Sequence, residues 1–132
     1  MLNIQAVRPH IHMIDSEADT LTELTLLKQR DSINLYEGLL DEIDRATICR
    51  RSDIPSDVVT MGSDVTFVDA KSGAERTVRL VYPGDADIST GRISILTPIG
   101  AGLIGLSVGQ SINWPDRGGD DHLLTIVAVR QP

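Results

Sequence analysis

Aromatic side chains are nearly missing from this chain: Tyr36, Phe67, Tyr82 and Trp114 are the four among 132 residues. A pocket that stacks bases or grips prolyl rings needs several aromatics in one place, so both kinds of site are disfavoured. Cysteine is down to one, Cys49, so no internal disulfide is possible and a reducing cytoplasm is the expected compartment. Cys49 is expected at the end of an apolar helical face, packed rather than reactive, because nothing nearby in sequence supplies a base. Cations are also short: 12 Lys plus Arg stand against 19 Asp plus Glu, for a net charge of −7. That argues against a free-standing, direct grip on nucleic acid, which needs cations to displace counterions from phosphate. No apolar run approaches the ~18 residues of a membrane span. The opening MLNIQAVRPH lacks the charged start and long apolar core of a signal peptide.

What is present is globular: 41% apolar and 23% charged residues over a length suited to one domain, or one with a small appendage. The acidity is uneven. Residues 1–57 hold 6 basic and 11 acidic side chains, and residues 58–132 hold 6 and 8, so five of the seven excess charges lie in the first part. The residue pattern changes at the same place. Two units are expected: an N-terminal segment and arm over 1–53, and a domain over 54–132.

In the first unit, Ser16-Glu17-Ala18-Asp19 reads as a capping box, with acid in the first turn suiting the helix dipole. Ala18, Leu21, Leu24 and Leu27 follow at three-residue steps, with Ile14 at the entry, and predict one amphipathic helix. Gln29 to Asn34 breaks the period. Leu35, Leu39, Ile43 and Ala46 then mark a second helical face, with Arg45, Arg50 and Arg51 loading its C-terminal end. Two helices with a short connection pack antiparallel. The pair either packs on the rest of the domain or forms a short coiled-coil arm whose tip, at Arg30, Asp31 and Ser32, reaches a partner.

The second unit reads as an antiparallel sheet with one short helix. Strands are predicted at Val58–Met61, Val65–Val68, Thr77–Tyr82, Arg92–Leu96, Ile112–Trp114 and His122–Val129. Turn signals fall at Gly62-Ser63, Asp69–Gly73, Pro83-Gly84 and Pro115–Asp120. Thr97-Pro98 starts a helix that runs to Leu106, since Pro at the first helical position loses no needed N–H. The fold class is α+β.

Two tempting motifs do not hold. Gly100-Ala101-Gly102-Leu103-Ile104-Gly105 is a literal G-x-G-x-x-G, but a dinucleotide fold needs a longer helix and further βα units. The glycines are explained by a helix lying close on the sheet. His10 and His12 form an H-x-H pair, but a metal site needs three or four ligands and His122 lies far along the chain. No catalytic set, metal site or cofactor site emerges.

The second unit resembles the C-terminal domain of the Gre transcript-cleavage factors of bacterial RNA polymerase. Val65–Val68, Leu80-Val81-Tyr82, Ile93-Ser94-Ile95 and above all Thr97–Leu106 carry the resemblance, continued by Val108–Ile112 and Gly118-Gly119. Pro55–Met61 and Leu80–Pro83 look most like the related family of regulators of nucleoside diphosphate kinase. The resemblance implies an FKBP-like α+β domain behind an N-terminal helical hairpin. It implies RNA polymerase as partner, gripped near the mouth of the secondary channel. In the Gre factors a polar residue and Ser-Pro precede the short helix and help it dock. The matching loop is Leu96, Thr97, Pro98 and Ile99, where Thr97 and Pro98 fit, Leu96 replaces the polar residue, and Ala101 replaces a following basic one.

Gre factors cleave backtracked RNA with an acidic pair at the tip of a long arm, which helps hold a second metal ion. This arm is about half as long, and Gln29–Asn34 holds one carboxylate, Asp31. The expectation is a cytoplasmic regulator that binds polymerase, competes with Gre-type factors and is not an enzyme. The alternatives are a transcript-cleavage factor, and a prolyl-isomerase-like or adaptor domain that does not act on polymerase.

Overall fold

In a computed structural model of the chain, residues 10–28, 37–115 and 121–132 are described. Strand β1 (His12–Ile14) runs directly into helix α1 (Asp15–Lys28). The helix begins one residue before the expected Ser16 cap, and the Asp15 carboxylate accepts the Ser16 N–H at 2.6 Å. Its inner face is Glu17, Ala18, Leu21 and Thr25, with Leu24 half-buried. Leu27, expected on that face, is 65% exposed. Three-residue steps fall about 60° short of a full helical turn, so a strict i+3 stripe drifts off any single face. Thr25 is tolerated inside because its hydroxyl donates to the Leu21 carbonyl at 2.7 Å.

Helix α2 (Glu37–Arg45) brings Leu39 into the core, and strand β2 (Thr47–Cys49) follows after one residue. Strand β2 lies parallel to β1, from His12 opposite Thr47 to Ile14 opposite Cys49. Cys49 is therefore in a strand, not on a helical face. The Thr47 N–H bonds the Ile11 carbonyl at 2.9 Å, and this pairing with the β1 end ends the helix. The expected arm tip, Arg30, Asp31 and Ser32, lies outside the described residues.

Strands β3 (Asp64–Asp69), β4 (Glu75–Val81), β5 (Arg92–Ser94), β6 (Ser111–Pro115) and β7 (Asp121–Arg130) form one sheet in the order β5-β4-β3-β7-β6. Three of its pairings are antiparallel, but β4 and β5 are parallel, which corrects the expected all-antiparallel sheet. The reason is the connection from Val81 to Arg92. Short 3₁₀ turns at Pro83–Asp85 and Ile88–Thr90, then Gly91 at φ 78°, return the chain so that Arg92 starts beside Arg79.

The strand expected at Val58–Met61 is absent: Val58 makes one bridge to Ser107, and the chain then turns. The Thr60 N–H bonds the Ser63 hydroxyl at 3.0 Å and the Ser63 N–H bonds the Thr60 carbonyl at 3.1 Å. Two buried polar residues thus satisfy each other inside a turn, instead of continuing a ladder.

Helix α3 (Pro98–Leu103) covers the sheet and stops before Leu106, because the chain turns extended at Ile104, with ψ 131°, and Gly105 follows at φ 83°. Ile11, Met13, Leu21 and Leu39 share one apolar cluster with Val65, Phe67, Leu80, Leu103 and Ile126. The base of the helical segment and the sheet thus have a common core.

Candidate functional site

The loop singled out by sequence, Leu96 to Ile99, sits at the end of β5 and at the head of α3. The Thr97 hydroxyl accepts the Gly100 N–H at 3.1 Å and donates to the Ser94 carbonyl at 2.7 Å. The Thr97 N–H reaches the same carbonyl at 3.1 Å. The Ser94 hydroxyl accepts the Leu96 N–H at 3.0 Å. Every one of these bonds is local, so the turn is fixed by its own side chains. Pro98 is the first residue of α3 and is exposed, while Leu96 and Ile99 are half-buried against the core. The four predicted residues therefore divide: Leu96 and Ile99 anchor the loop, Thr97 caps the helix, and Pro98 is presented to solvent.

Gly100 belongs to the same device. A Cβ there would lie 2.3 Å from the Ser94 carbonyl oxygen and 3.0 Å from Ile95 Cα. Gly105 backs onto β1, where a Cβ would lie 2.9 Å from the His12 carbonyl oxygen. The glycine pattern therefore marks close packing at these two positions. Ser94 was not signalled by the pattern, although a Ser two residues before a helix-capping Thr is the residue able to tie such a turn.

Beside Ile99 lies a cavity of about 240 Å³ lined by Phe67, Asp69, Arg76, His122 and Leu124. The His122 Nδ1 is 2.6 Å from the Asp69 carboxylate. Partial burial opposes charge on Asp69, but the Lys71 N–H, His122 and the Ser72 N–H outweigh it and hold the carboxyl below its ordinary range. Phe67 is the aromatic hydrocarbon ring among the described residues that line this cavity.

His10 and His12 meet edge to face at 5.0 Å, and the His10 Nε2 is 2.7 Å from the Thr47 hydroxyl. Among the described residues no group of three or more His, Cys, Asp or Glu is placed to hold a metal ion. No described helix is long and apolar enough to cross a membrane.

A second constellation was missed by sequence reasoning. Glu17 is 6% exposed, at the base of α1. One carboxylate oxygen accepts the Met61 N–H at 3.0 Å, and the other lies 3.5 Å from the Arg51 guanidinium. Burial raises the Glu17 carboxyl above its ordinary range, against the opposing pull of the Met61 N–H and Arg51. Burial and the Glu17 charge together raise the neighbouring Tyr82 phenol.

The family model for the C-terminal domain of the transcription elongation factors GreA/GreB matches residues 54–131. The chain belongs to the GreA/GreB family. A regulator of nucleoside diphosphate kinase from Escherichia coli strain K12 is 36% identical over 126 residues, covering 95% of this chain and 93% of that one. A GreA elongation factor from Azorhizobium caulinodans is 36% identical over 118 residues, covering 82% of this chain and 74% of that one. Among solved structures, a GreA/GreB elongation factor from Nitrosomonas europaea superposes with a TM-score of 0.77 at 37% identity, covering 91% of this chain and 98% of that one. GreA factor homolog 1 of Thermus thermophilus, at 19% identity and a TM-score of 0.50, shares the fold. In this GreA/GreB-family chain the Thr97–Leu106 run lies inside the matched region, and α1 with α2 lies before it.

Proposed function

We propose that this chain is a cytoplasmic regulator that binds bacterial RNA polymerase near its secondary channel and competes there with Gre-type factors. Residues 54–132 act as an FKBP-like docking domain and residues 1–53 as the arm. The observation that carries this reading is the Ser94–Gly100 turn. Its polar groups are consumed internally, which leaves Pro98 displayed on a rigid support within a region the elongation-factor family shares. A preorganised loop loses little conformational freedom on binding.

The chain is further read as a non-enzyme. The arm sequence Gln29–Asn34 has a single carboxylate, Asp31, whereas holding a second metal ion calls for paired acids. The name of the Escherichia coli relative is that of a regulator, in keeping with this.

The test is capture of purified bacterial RNA polymerase by the immobilised full chain, with and without excess Gre factor, and with Pro98→Ala. Retention that is lost to the competitor and weakened by Pro98→Ala is the expected result. Absence of retention at low salt overturns the reading. A transcript-cleavage assay on stalled polymerase decides the second point, since RNA shortening by this protein alone would make it an enzyme.

A further inference from the structure

Where α1 meets the sheet domain, a crevice of about 400 Å³ opens between Glu17, Arg51, Met61, Val81, Tyr82 and Asp85. Its floor is the buried Glu17 carboxylate. An ionised carboxylate offers about four acceptor positions, and burying it is costly unless most are filled. Here one oxygen has a hydrogen bond of ordinary length, to the Met61 N–H at 3.0 Å. Among the described residues the other oxygen's partner is the Arg51 guanidinium at 3.5 Å, longer than an ordinary hydrogen bond. Arg51 is a loose partner: its side chain is 65% exposed and it stands at the crevice mouth. A buried carboxylate, held by one backbone N–H and by an exposed arginine at 3.5 Å, thus lines an open crevice.

The walls narrow the choice of donor. Met61 and Val81 are buried apolar residues, and Tyr82 is half-buried beside them. Asp85 is an exposed acid that also lines the crevice. An aliphatic stem ending in a cationic donor suits this sequence of surfaces, with the stem on the apolar wall and the head at Glu17. Glu17 and Asp85 outnumber Arg51 among the charged side chains of the lining, so the local field favours approach of a cationic group.

We propose that this crevice is a subsite for an arginine or lysine side chain of a basic partner protein, which displaces the exposed Arg51 and takes its place at the Glu17 carboxylate. The subsite is distinct from the Ser94–Gly100 turn and does not rest on polymerase binding.

The test is an NMR titration of the full ¹⁵N-labelled chain with Nα-acetyl-arginine amide, following the Met61 and Gly62 amides. Tetramethylammonium chloride at matched ionic strength supplies charge without N–H donors, and spermidine supplies a free polyamine. Saturable shifts with a dissociation constant on the order of millimolar are expected for the arginine amide. Glu17→Gln, which keeps an acceptor for the Met61 N–H, is expected to weaken this binding at least about tenfold. Asp85→Asn, at an exposed position, is expected to weaken it about twofold while leaving the fold intact. Shifts that do not saturate, an equal response to tetramethylammonium, or unchanged affinity in both variants overturn the subsite. Saturation by spermidine at lower concentration than the arginine amide assigns the crevice to a free polyamine and overturns the protein side chain as its occupant.

Discussion

A methyl group on Gly100 would collide with the Ser94 carbonyl at 2.3 Å, whereas one on Gly102 would meet only the end of the Ile112 side chain at 3.2 Å. Gly100→Ala is therefore expected to destabilise the protein by about 1–3 kcal/mol, since backbone must move. Gly102→Ala is expected to be nearly neutral, because the helix-propensity gain of about 1 kcal/mol offsets a small shift of Ile112. Urea denaturation of the two variants checks both, and equal losses would show that close packing at Gly100 is not what the glycine serves. Glu17 is the other residue with a sharp signature. Its carboxyl, raised from 4.5 by burial, holds a proton in the folded state over a window where the unfolded chain has lost it. The stabilisation from this group is complete below about pH 4.5 and is lost as pH rises through the folded-state value. Glu17→Gln lacks this dependence. The stability of the natural chain relative to Glu17→Gln is expected to fall as pH rises from 4.5, and a gap that stays constant with pH contradicts it. Neither residue's neighbours were readable in sequence. Gly100 was legible as a packing glycine, but Ser94 as its counterpart was not. Glu17 reads in sequence only as a first-turn acid suited to the helix dipole, because its partners Arg51 and Met61 are 34 and 44 residues away.

Among the elements, α3 is held by its cap rather than by length, having only six residues. Thr97→Ala is expected to cost about 0.5–2 kcal/mol by thermal or urea unfolding, with Thr97→Ser restoring most of it. Pro98→Ala, at an exposed first helical position, is expected to change stability by less than about 0.5 kcal/mol while weakening polymerase capture. The contrast would separate a residue that holds the fold from one proposed to dock, within one loop. Elements with strong local signals were legible: α1, the β3–β4 hairpin with its turn at Gly73, α3 and the β6–β7 pairing all fall close to where periodicity and turn residues put them. Elements defined by distant partners were not. Strands β1 and β2 are three residues each and pair across 35 positions, so no local pattern announces them. The same holds for the parallel direction of β5, which depends on the path of the chain between Val81 and Arg92.

At the scale of the whole molecule, the cluster shared by Ile11, Met13, Leu21 and Leu39 with the sheet means that the sheet domain is incomplete alone. A chain beginning at residue 54 would leave much of that apolar surface uncovered, at about 1.5–3 kcal/mol for each buried side chain lost. It is expected to unfold at lower urea concentration than the full chain and to bind a hydrophobic dye. An unchanged midpoint would show that the two parts are energetically independent. The composition split at residue 57 was legible as a change of pattern, but the common core crosses it, because burial follows space rather than sequence. The parallel pairing of β1 with β2 carries one more consequence. The chain departs at Ile14 and returns at Thr47 on neighbouring strands locked in register. Ile14 pairs with Cys49 and Thr47 with His12, so the points where the chain leaves and re-enters this parallel pair are offset by two residues and lie about 8 Å apart. Residues added between Lys28 and Glu37 leave the buried contacts of Leu21, Thr25 and Leu39, and the Ser94–Gly100 turn, in place. Reach is therefore a dimension that can change while the sheet domain stays constant.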